Sequence, residues 1–398
     1  MSEIEYHMPE GFLISTAEAA VKKPGRKDIA IIYSTVSAVA SAVFTSNLVK
    51  AAPVILDAER IVGGKGRAIV ANSGNANACT GKRGIKDAQR MSLAVSGTIK
   101  NCPDSEVFVA STGVIGTPLP IFRMTPKIRE AAKHIGDSTL LDAARAVMTT
   151  DSFPKIASKR LTISGKPVTI AAIAKGAGMI CPNMATMLCF VLTDASITKD
   201  ALDEALTLAC DNSFNRITVD GDMSTNDTIL VLANRLAANT TIRSGTYGFD
   251  AFTYALSEVL MSLAEMVVRD GEGATKVMRV LVKGTQYKRD ALIIARAIAN
   301  SPLVKTAIYG CDANWGRVIA AAGSSGVAFD PNTVDIFFGS VRVAKKGLTT
   351  NKDAEAAEEL KADAVTITID FKMGKASAQV LGCDLTEEYI KINADYRT

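Results

Sequence analysis

The sequence predicts an α+β fold, with layered α/β packing as its near neighbour, and three observations carry that prediction. Short apolar runs of strand length alternate with longer stretches whose apolar residues recur at helical spacing. No segment repeats at a fixed period, and no low-complexity linker marks a domain boundary within the 398 residues. The chain is 48% hydrophobic and 22% charged, enough apolar material for one large body or for two or three domain-sized units.

The elements follow in order. DIAIIYS (28–34), RAIVANS (67–73) and EVFVAST (106–112) are apolar runs rich in β-branched residues and predict strands. Between the last two, GIKDAQRMSLAVSGTIK (84–100) places its apolar residues on one helical face. A helix ends near REAAKHIGD (129–137), and STLLDAARAVMTT (138–150) predicts another. RLTIS and PVTIAAIA, joined through SGK (164–166), read as a hairpin. The apolar part of KGAGMICPNMATMLCFVLTDA (175–195) reads as a buried strand, and DALDEALTLACDNSF (200–214) and FDAFTYALSEVLMSLAEMVV (249–268) as helices. VMRVLVKG (277–284) is a strand, a helix runs from about Arg289 to Asn300, and VDIFFGSVRVA (334–344) is extended. A helix near DAEAAEELKA (353–362) and a closing pair of strands, TITIDF with SAQVLG, complete the pattern.

Composition excludes several functions. The net charge of +4, from 45 basic and 41 acidic residues, and the lack of a dense basic stripe argue against nucleic acid. No uninterrupted apolar run reaches the roughly 18 residues of a membrane span, and the acidic start MSEIEYHMPEGF has no signal-like segment, so no membrane partner and a cytoplasmic location are expected. Seven scattered cysteines without a CxxC pair predict neither a disulfide framework nor a zinc site, in keeping with a reducing compartment. The two histidines, His7 in a terminus expected to fray and His134 near a helix end, leave no triad base. Metal and cofactor are both expected to be absent. KGAGMICPN lacks GxGxxG spacing and GxxxxGK[ST] is missing, while VDGDMSTND has no downstream glutamate at calcium-loop spacing.

Seven loops are dense in glycine and small polar residues: NSGNANACTG (72–81), ASTGVIGTP (110–118), TTDSFPK (149–155), VDGDMSTNDT (219–228), RDGEGATK (269–276), CDANWGR (311–317) and NADYRT (393–398). Singly they read as turns. Together they are a set that a rigid scaffold can bring to a site. Thr186, after the small Ala185 and ahead of an apolar run, has two readings. It is a β-branched strand residue, or it is a nucleophile. Without histidine, a threonine hydroxyl is activated by its own α-amine, whose pKa of about 7.7–8.0 leaves free base at neutral pH where a lysine, at about 10.4, leaves little. That route requires cutting the Ala185–Thr186 bond, and spacing alone leaves both readings open.

KGAGMICPNMATML, STGVIG, TTDSFPK, DGEGATK, NSPLVKTAIYGCDANWGR and the ending NADYRT resemble the ornithine acetyltransferases of arginine biosynthesis, also called glutamate N-acetyltransferases. The resemblance runs from PEGF to the last residue. It implies a layered αββα-like sandwich and a precursor that cuts itself at Ala185–Thr186. The pieces, 1–185 and 186–398, stay together, the second carrying a subdomain from about residue 277. It further implies that Thr186 takes acetyl as an ester from N2-acetyl-L-ornithine and passes it to L-glutamate, in heterotetramers or larger assemblies. Thr112 and Gly113 then stabilise the oxyanion, and Thr149, Lys175, Thr186, Glu272, Asn393 and Thr398 contact the substrate. Acetyl-CoA is a second donor for bifunctional members, and no motif here decides for or against it. Ala313 stands where a proline is usual in DPNWGR, and Ser152 where threonine is usual after TTD; neither is a proposed catalytic group. Two other readings compete: a self-processing aminopeptidase, and a binding or assembly protein in which Thr186 is merely structural and the chain stays whole.

Overall fold

The computed structural model describes residues 5–181 and 187–394. The chain divides into two compact units. The first comprises Met1–Gly176, Pro182–Asn215 and Met223–Val267, and the second Ala177–Cys181, Arg216–Asp222 and Val268–Thr398.

The elements up to the second unit's main segment are β1 (Phe12–Ala17), β2 (Ile29–Phe44), α1 (Ala52–Arg60), β3 (Lys65–Asn75), α2 (Gly81–Ser96), β4 (Val107–Val114), α3 (Ile121–Lys133), α4 (Leu140–Val147), β5 (Lys155–Ile163), β6 (Lys166–Lys175), β7 (Leu188–Thr193), α5 (Lys199–Asn212), β8 (Thr228–Ala233) and α6 (Tyr247–Arg269). Among the described residues the first unit carries an eight-stranded mixed sheet in the order β4-β3-β2-β8-β7-β6-β5, with β1 paired to β2. β3–β4 and β7–β8 are parallel, and the other pairs antiparallel.

Side-chain alternation explains why both faces are covered. Ala30 and Ile32 of β2 join Phe190 of β7 in a core closed by Leu140, Ala143 and Val147 of α4. Ile29 and Ile31, one residue out of step, join a second core with Met91 and Val95 of α2 and Met124 and Ile128 of α3. α4 starts at a capping box in which Asp142 N–H donates to Thr139 Oγ1 (3.2 Å) and Thr139 N–H to Asp142 Oδ2 (2.9 Å). The expected β5–β6 hairpin turns on Ser164 and Gly165 alone, both left-handed (φ 51° and 75°), between the paired Ile163 and Lys166. That is the two-residue turn whose twist matches antiparallel strands.

In the second unit β9 (Val277–Thr285), α7 (Lys288–Ala299), α8 (Pro302–Tyr309), α9 (Trp315–Gly323), β10 (Asp335–Phe338), β11 (Val341–Lys345), β12 (Leu348–Thr349), α10 (Asp353–Glu359), β13 (Ala364–Asp370), β14 (Ala376–Cys383) and α11 (Glu387–Ala394) follow in order. Among the described residues its sheet has six strands, β12-β11-β10-β13-β9-β14. Met278, Val280 and Val282 of β9 turn inward against Ile294 and Ile298 of α7, while Arg279 and Lys283 face out. The class is α+β.

Three expectations are corrected. TITIDF and SAQVLG do not pair with each other, because β9 lies between them, parallel to β13 and antiparallel to β14. His7 is tied down rather than frayed, its N–H donating to Ser158 Oγ at 2.9 Å. α6 is long and apolar enough to cross a membrane by length and composition, which a search for an uninterrupted apolar run misses because Glu258 and Glu265 interrupt it. Phe252, Leu256, Leu260, Leu263 and Val267, spaced three or four apart, bury one face of α6 in the fold. The seven cysteines are free.

Phe190 is fully buried, between Ile173 of β6 and Leu230 of β8 in register. Phe190→Ala is expected to cost about 3–5 kcal/mol, read as a fall in the urea midpoint of the intact protein.

Candidate active site

β3 and β4 run parallel until Ser73 faces Thr112 and Gly74 faces Gly113. Gly113 has φ 133°, and a Cβ there would stand 2.3 Å from the Gly74 carbonyl carbon. No side chain fits, so the end of β4 presents bare backbone beside the Thr112 hydroxyl. Buried amides fix this edge. Asn226 Nδ2 donates to the Ala76 carbonyl (2.6 Å) and the Ser111 carbonyl (2.8 Å), and Ser111 Oγ to Asn72 Oδ1 (2.7 Å).

Lys175, the buried last residue of β6, donates from Nζ to Thr112 Oγ1 (3.1 Å) and Thr149 Oγ1 (2.9 Å). An ammonium has donors only. Both threonine oxygens therefore accept, and the Thr112 hydroxyl keeps its own hydrogen for another acceptor. The register sets Lys175 opposite Leu188, where β7 begins, two residues along the chain from Thr186. Ala185, Thr186 and Thr398 lie outside the described residues.

Asp151 anchors this group. Its Oδ1 accepts from Lys155 Nζ and Gly176 N, both at 2.7 Å, and its Oδ2 from Thr149 N at 2.9 Å. The side chains of Asp151 and Lys155 are both fully buried. Burial pushes the Asp151 carboxyl up, but the charges of Lys175 and Lys155 outweigh it and hold the group far below the usual carboxylate range. Asp227, also buried, goes the other way: burial raises it well above the normal range, and Ser224 and the Lys175 charge oppose that without overcoming it. Its Oδ2 has no hydrogen-bond partner among the described residues. The Lys175 charge thus opposes the effect of burial at both carboxyls, helping to outweigh it at Asp151 and failing to at Asp227.

In the second unit Glu272 is buried, and Asn393 Nδ2 on α11 donates to its Oε2 at 2.8 Å. Among the described residues no cationic side chain pairs with it. Gly178 backs the carboxylate so closely that a Cβ there would lie 2.4–2.6 Å from its atoms.

Of the residues expected from sequence, Thr112, Thr149 and Lys175 meet through Lys175, Gly113 adjoins them, and Glu272 meets Asn393. Sequence reasoning missed Asp151, Lys155, Asn226 and Asp227. The first two lie inside TTDSFPK and the others inside VDGDMSTNDT, loops already marked as polar, but nothing in either run says which oxygen turns inward. Among the described residues no three His, Cys, Asp or Glu side chains gather as a metal site.

The model of the ArgJ family matches residues 13–398. The chain is 51% identical over 391 residues to the arginine biosynthesis bifunctional protein ArgJ of Geobacter sulfurreducens, covering 98% of this chain and 99% of that one. It is 51% identical over 393 residues to the protein of the same name from Symbiobacterium thermophilum, covering 98% of each. The crystal structure of arginine biosynthesis bifunctional protein ArgJ from Bacillus halodurans is similar with a TM-score of 0.50 and 44% identity, over 52% of this chain and 97% of that one.

The folded-state pKa of Asp151 is depressed, so its contribution is fully present above the unfolded value of about 4 and is lost as pH falls below it. Asp151→Asn also removes the carboxylate paired with the buried Lys155 ammonium. It should cost about 3–5 kcal/mol at pH 7. The gap from the parent in denaturant midpoint should narrow as pH is lowered from about 4 toward 2.

Proposed function

The chain belongs to the ArgJ family, and on that premise we propose that it moves acetyl from N2-acetyl-L-ornithine to L-glutamate, giving L-ornithine and N-acetyl-L-glutamate. The reaction is preceded by self-cleavage at Ala185–Thr186. The Thr186 hydroxyl adds to the Ala185 carbonyl, the amide becomes an ester as nitrogen leaves, and water hydrolyses that ester. The products are an Ala185 carboxylate and a free Thr186 amine. The pieces are 1–185 and 186–398, the second with a subdomain from about residue 277, and they remain together in heterotetramers or larger assemblies in the cytoplasm.

In the transferase the Thr186 amine takes the hydroxyl proton as the oxygen attacks the acetyl carbonyl. The Thr112 hydroxyl and the Gly113 N–H donate to the oxyanion. The C–N bond then breaks and ornithine leaves with the proton, after which the amine of glutamate attacks the acetyl ester and regenerates the hydroxyl. Thr149, Lys175, Glu272, Asn393 and Thr398 hold the substrates. Lys175 suits a carboxylate, and Glu272, buried with only an amide for a side-chain partner among the described residues, suits an ammonium. Acetyl-CoA serves as an alternative donor.

The observation that carries this reading is the Lys175–Thr112 contact at 3.1 Å. It leaves the Thr112 hydroxyl hydrogen available to an oxyanion, at a strand end where no side chain at Gly113 obstructs approach. Donors of this kind are each worth about 3–4 kcal/mol in the transition state.

Thr186→Ala should remain one uncut chain with no transferase activity, because one oxygen serves both steps. Two fragments split at that bond in the variant would refute the assignment. Incubating the cut enzyme with acetylornithine alone should add one acetyl mass to Thr186 of the 186–398 fragment, and a label on lysine or cysteine would move the nucleophile elsewhere. Thr112→Ala, checked by mass to be fully cut, should lower kcat by about 100-fold or more with little change in donor binding. An unchanged kcat would remove Thr112 from the site.

A further inference from the structure

Asp220 lies in the acidic loop VDGDMSTNDT that the reaction above leaves without a role. Its carboxylate takes no part in an ion pair with a described side chain and instead faces backbone. Oδ2 accepts from Met179 N at 2.6 Å, and Oδ1 from Ile180 N at 2.9 Å and Asp222 N at 3.2 Å. Two successive N–H groups converge on one carboxylate because Met179 is left-handed, with φ 57°. That conformation costs a non-glycine residue on the order of 1 kcal/mol or more. The exposed Met179 side chain does not repay it, and charge-assisted hydrogen bonds do.

The segment Asp220 holds is the one that backs Glu272. Glu272 N–H donates to the Ala177 carbonyl at 2.9 Å, and the Ile180 carbonyl accepts from Val219 N (2.7 Å) and Thr218 Oγ1 (3.1 Å). Gly178 sits between these two anchors with its backbone against the Glu272 carboxylate. Asp220 also accepts from the Tyr389 hydroxyl at 3.4 Å. Tyr389 stands on α11 one turn before Asn393, the residue that donates to Glu272. Burial and the charges of Asp220, Glu272 and Asp222 push the phenol up, so it remains a neutral donor. Asp220 thus reaches both supports of Glu272, the loop behind it and the helix that caps it, without touching Glu272.

We propose that Asp220 is a positioning residue for acetyl transfer: by fixing residues 178–180 and α11 it holds the Glu272 carboxylate where the donor's ammonium binds. This rests on Glu272 being the donor's ammonium site. The test uses fully cut enzymes, verified by mass: parent, D220A, D220N, E272Q and D220A/E272Q. Each is assayed for kcat/KM toward N2-acetylornithine and toward glutamate, which has no second ammonium to place.

D220A should lower donor kcat/KM about tenfold while glutamate kcat/KM stays within about twofold, and in the E272Q background its effect should vanish. D220N keeps the side chain's shape and one accepting oxygen. It should show a smaller fall that vanishes in the same way, and it carries the test where D220A does not fold or cut. Losses that multiply in the double variant, or equal falls for donor and acceptor, would overturn the proposal. So would a donor kcat/KM in both D220A and D220N within about twofold of the parent. If E272Q alone leaves donor kcat/KM unchanged, the reading of Glu272 fails first and the role of Asp220 falls with it.

Discussion

A carboxylate shut away from water must be met by positive charge and N–H groups on every side, and around Asp151 that requirement organises the first unit's candidate site. Lys155, Gly176 N–H and Thr149 N–H all converge on it, and Lys175 adds its field. These partners come from the start of β5, the residue after β6 and the loop after α4. One side chain therefore sets where Thr149 stands and where the chain leaves β6, and so where the Lys175 ammonium can reach. Burying the pair is expensive, and its cost is recovered only if every donor is in place. Such a group tolerates few intermediate arrangements, which suits a site where a displacement of an ångström is costly.

The second unit solves the same problem with a buried cation. Lys305 of α8 donates from Nζ to the Val219 carbonyl at 2.7 Å and to the Cys383 carbonyl, fixing the residue before Asp220 and the end of β14. Asp384, next in the chain, accepts from Thr275 N (2.9 Å) and Lys276 N (3.0 Å). Lys305 and Asp384 both satisfy backbone groups beside strand ends, so the loops there are tied to the sheet by charged side chains.

Much of this was legible from sequence where the periodicity was clean. The apolar, β-branched-rich run DIAIIYS names the first half of β2. The second half, interrupted by serines at 37 and 41, was not read as strand, because its pairing with β8 draws on residues nearly 200 positions away. α8 and α9 went unread although Ser301-Pro302 and Asn314 are start signals, and each does cap its helix. The final strands were misread as a pair because adjacent strands usually are one, and local pattern cannot show that β9 comes between. At the site, the motifs pointed to Thr112, Lys175 and Glu272. Asn226 and Asp151 stayed hidden because their partners are mostly backbone atoms: the Asn226–Ser111 bond spans 115 residues.

If the chain is cut at Ala185–Thr186 as proposed, the strand order has a consequence. β7 and β8 follow Thr186 in the chain, yet they sit in the middle of the sheet, with β2 on one side and β6 on the other, both from the piece that precedes the cut. Breaking the peptide bond frees no edge, since the second piece is wedged between ladders of the first and could leave only by tearing both. While the fold lasts, the nick goes unnoticed. Once the fold is lost, the two pieces diffuse apart, and regaining it becomes a bimolecular event that dilution opposes. Maturation would in this way convert a reversible folding equilibrium into a one-way commitment, with the enzyme's lifetime governed by how slowly it opens rather than by how favourably it closes.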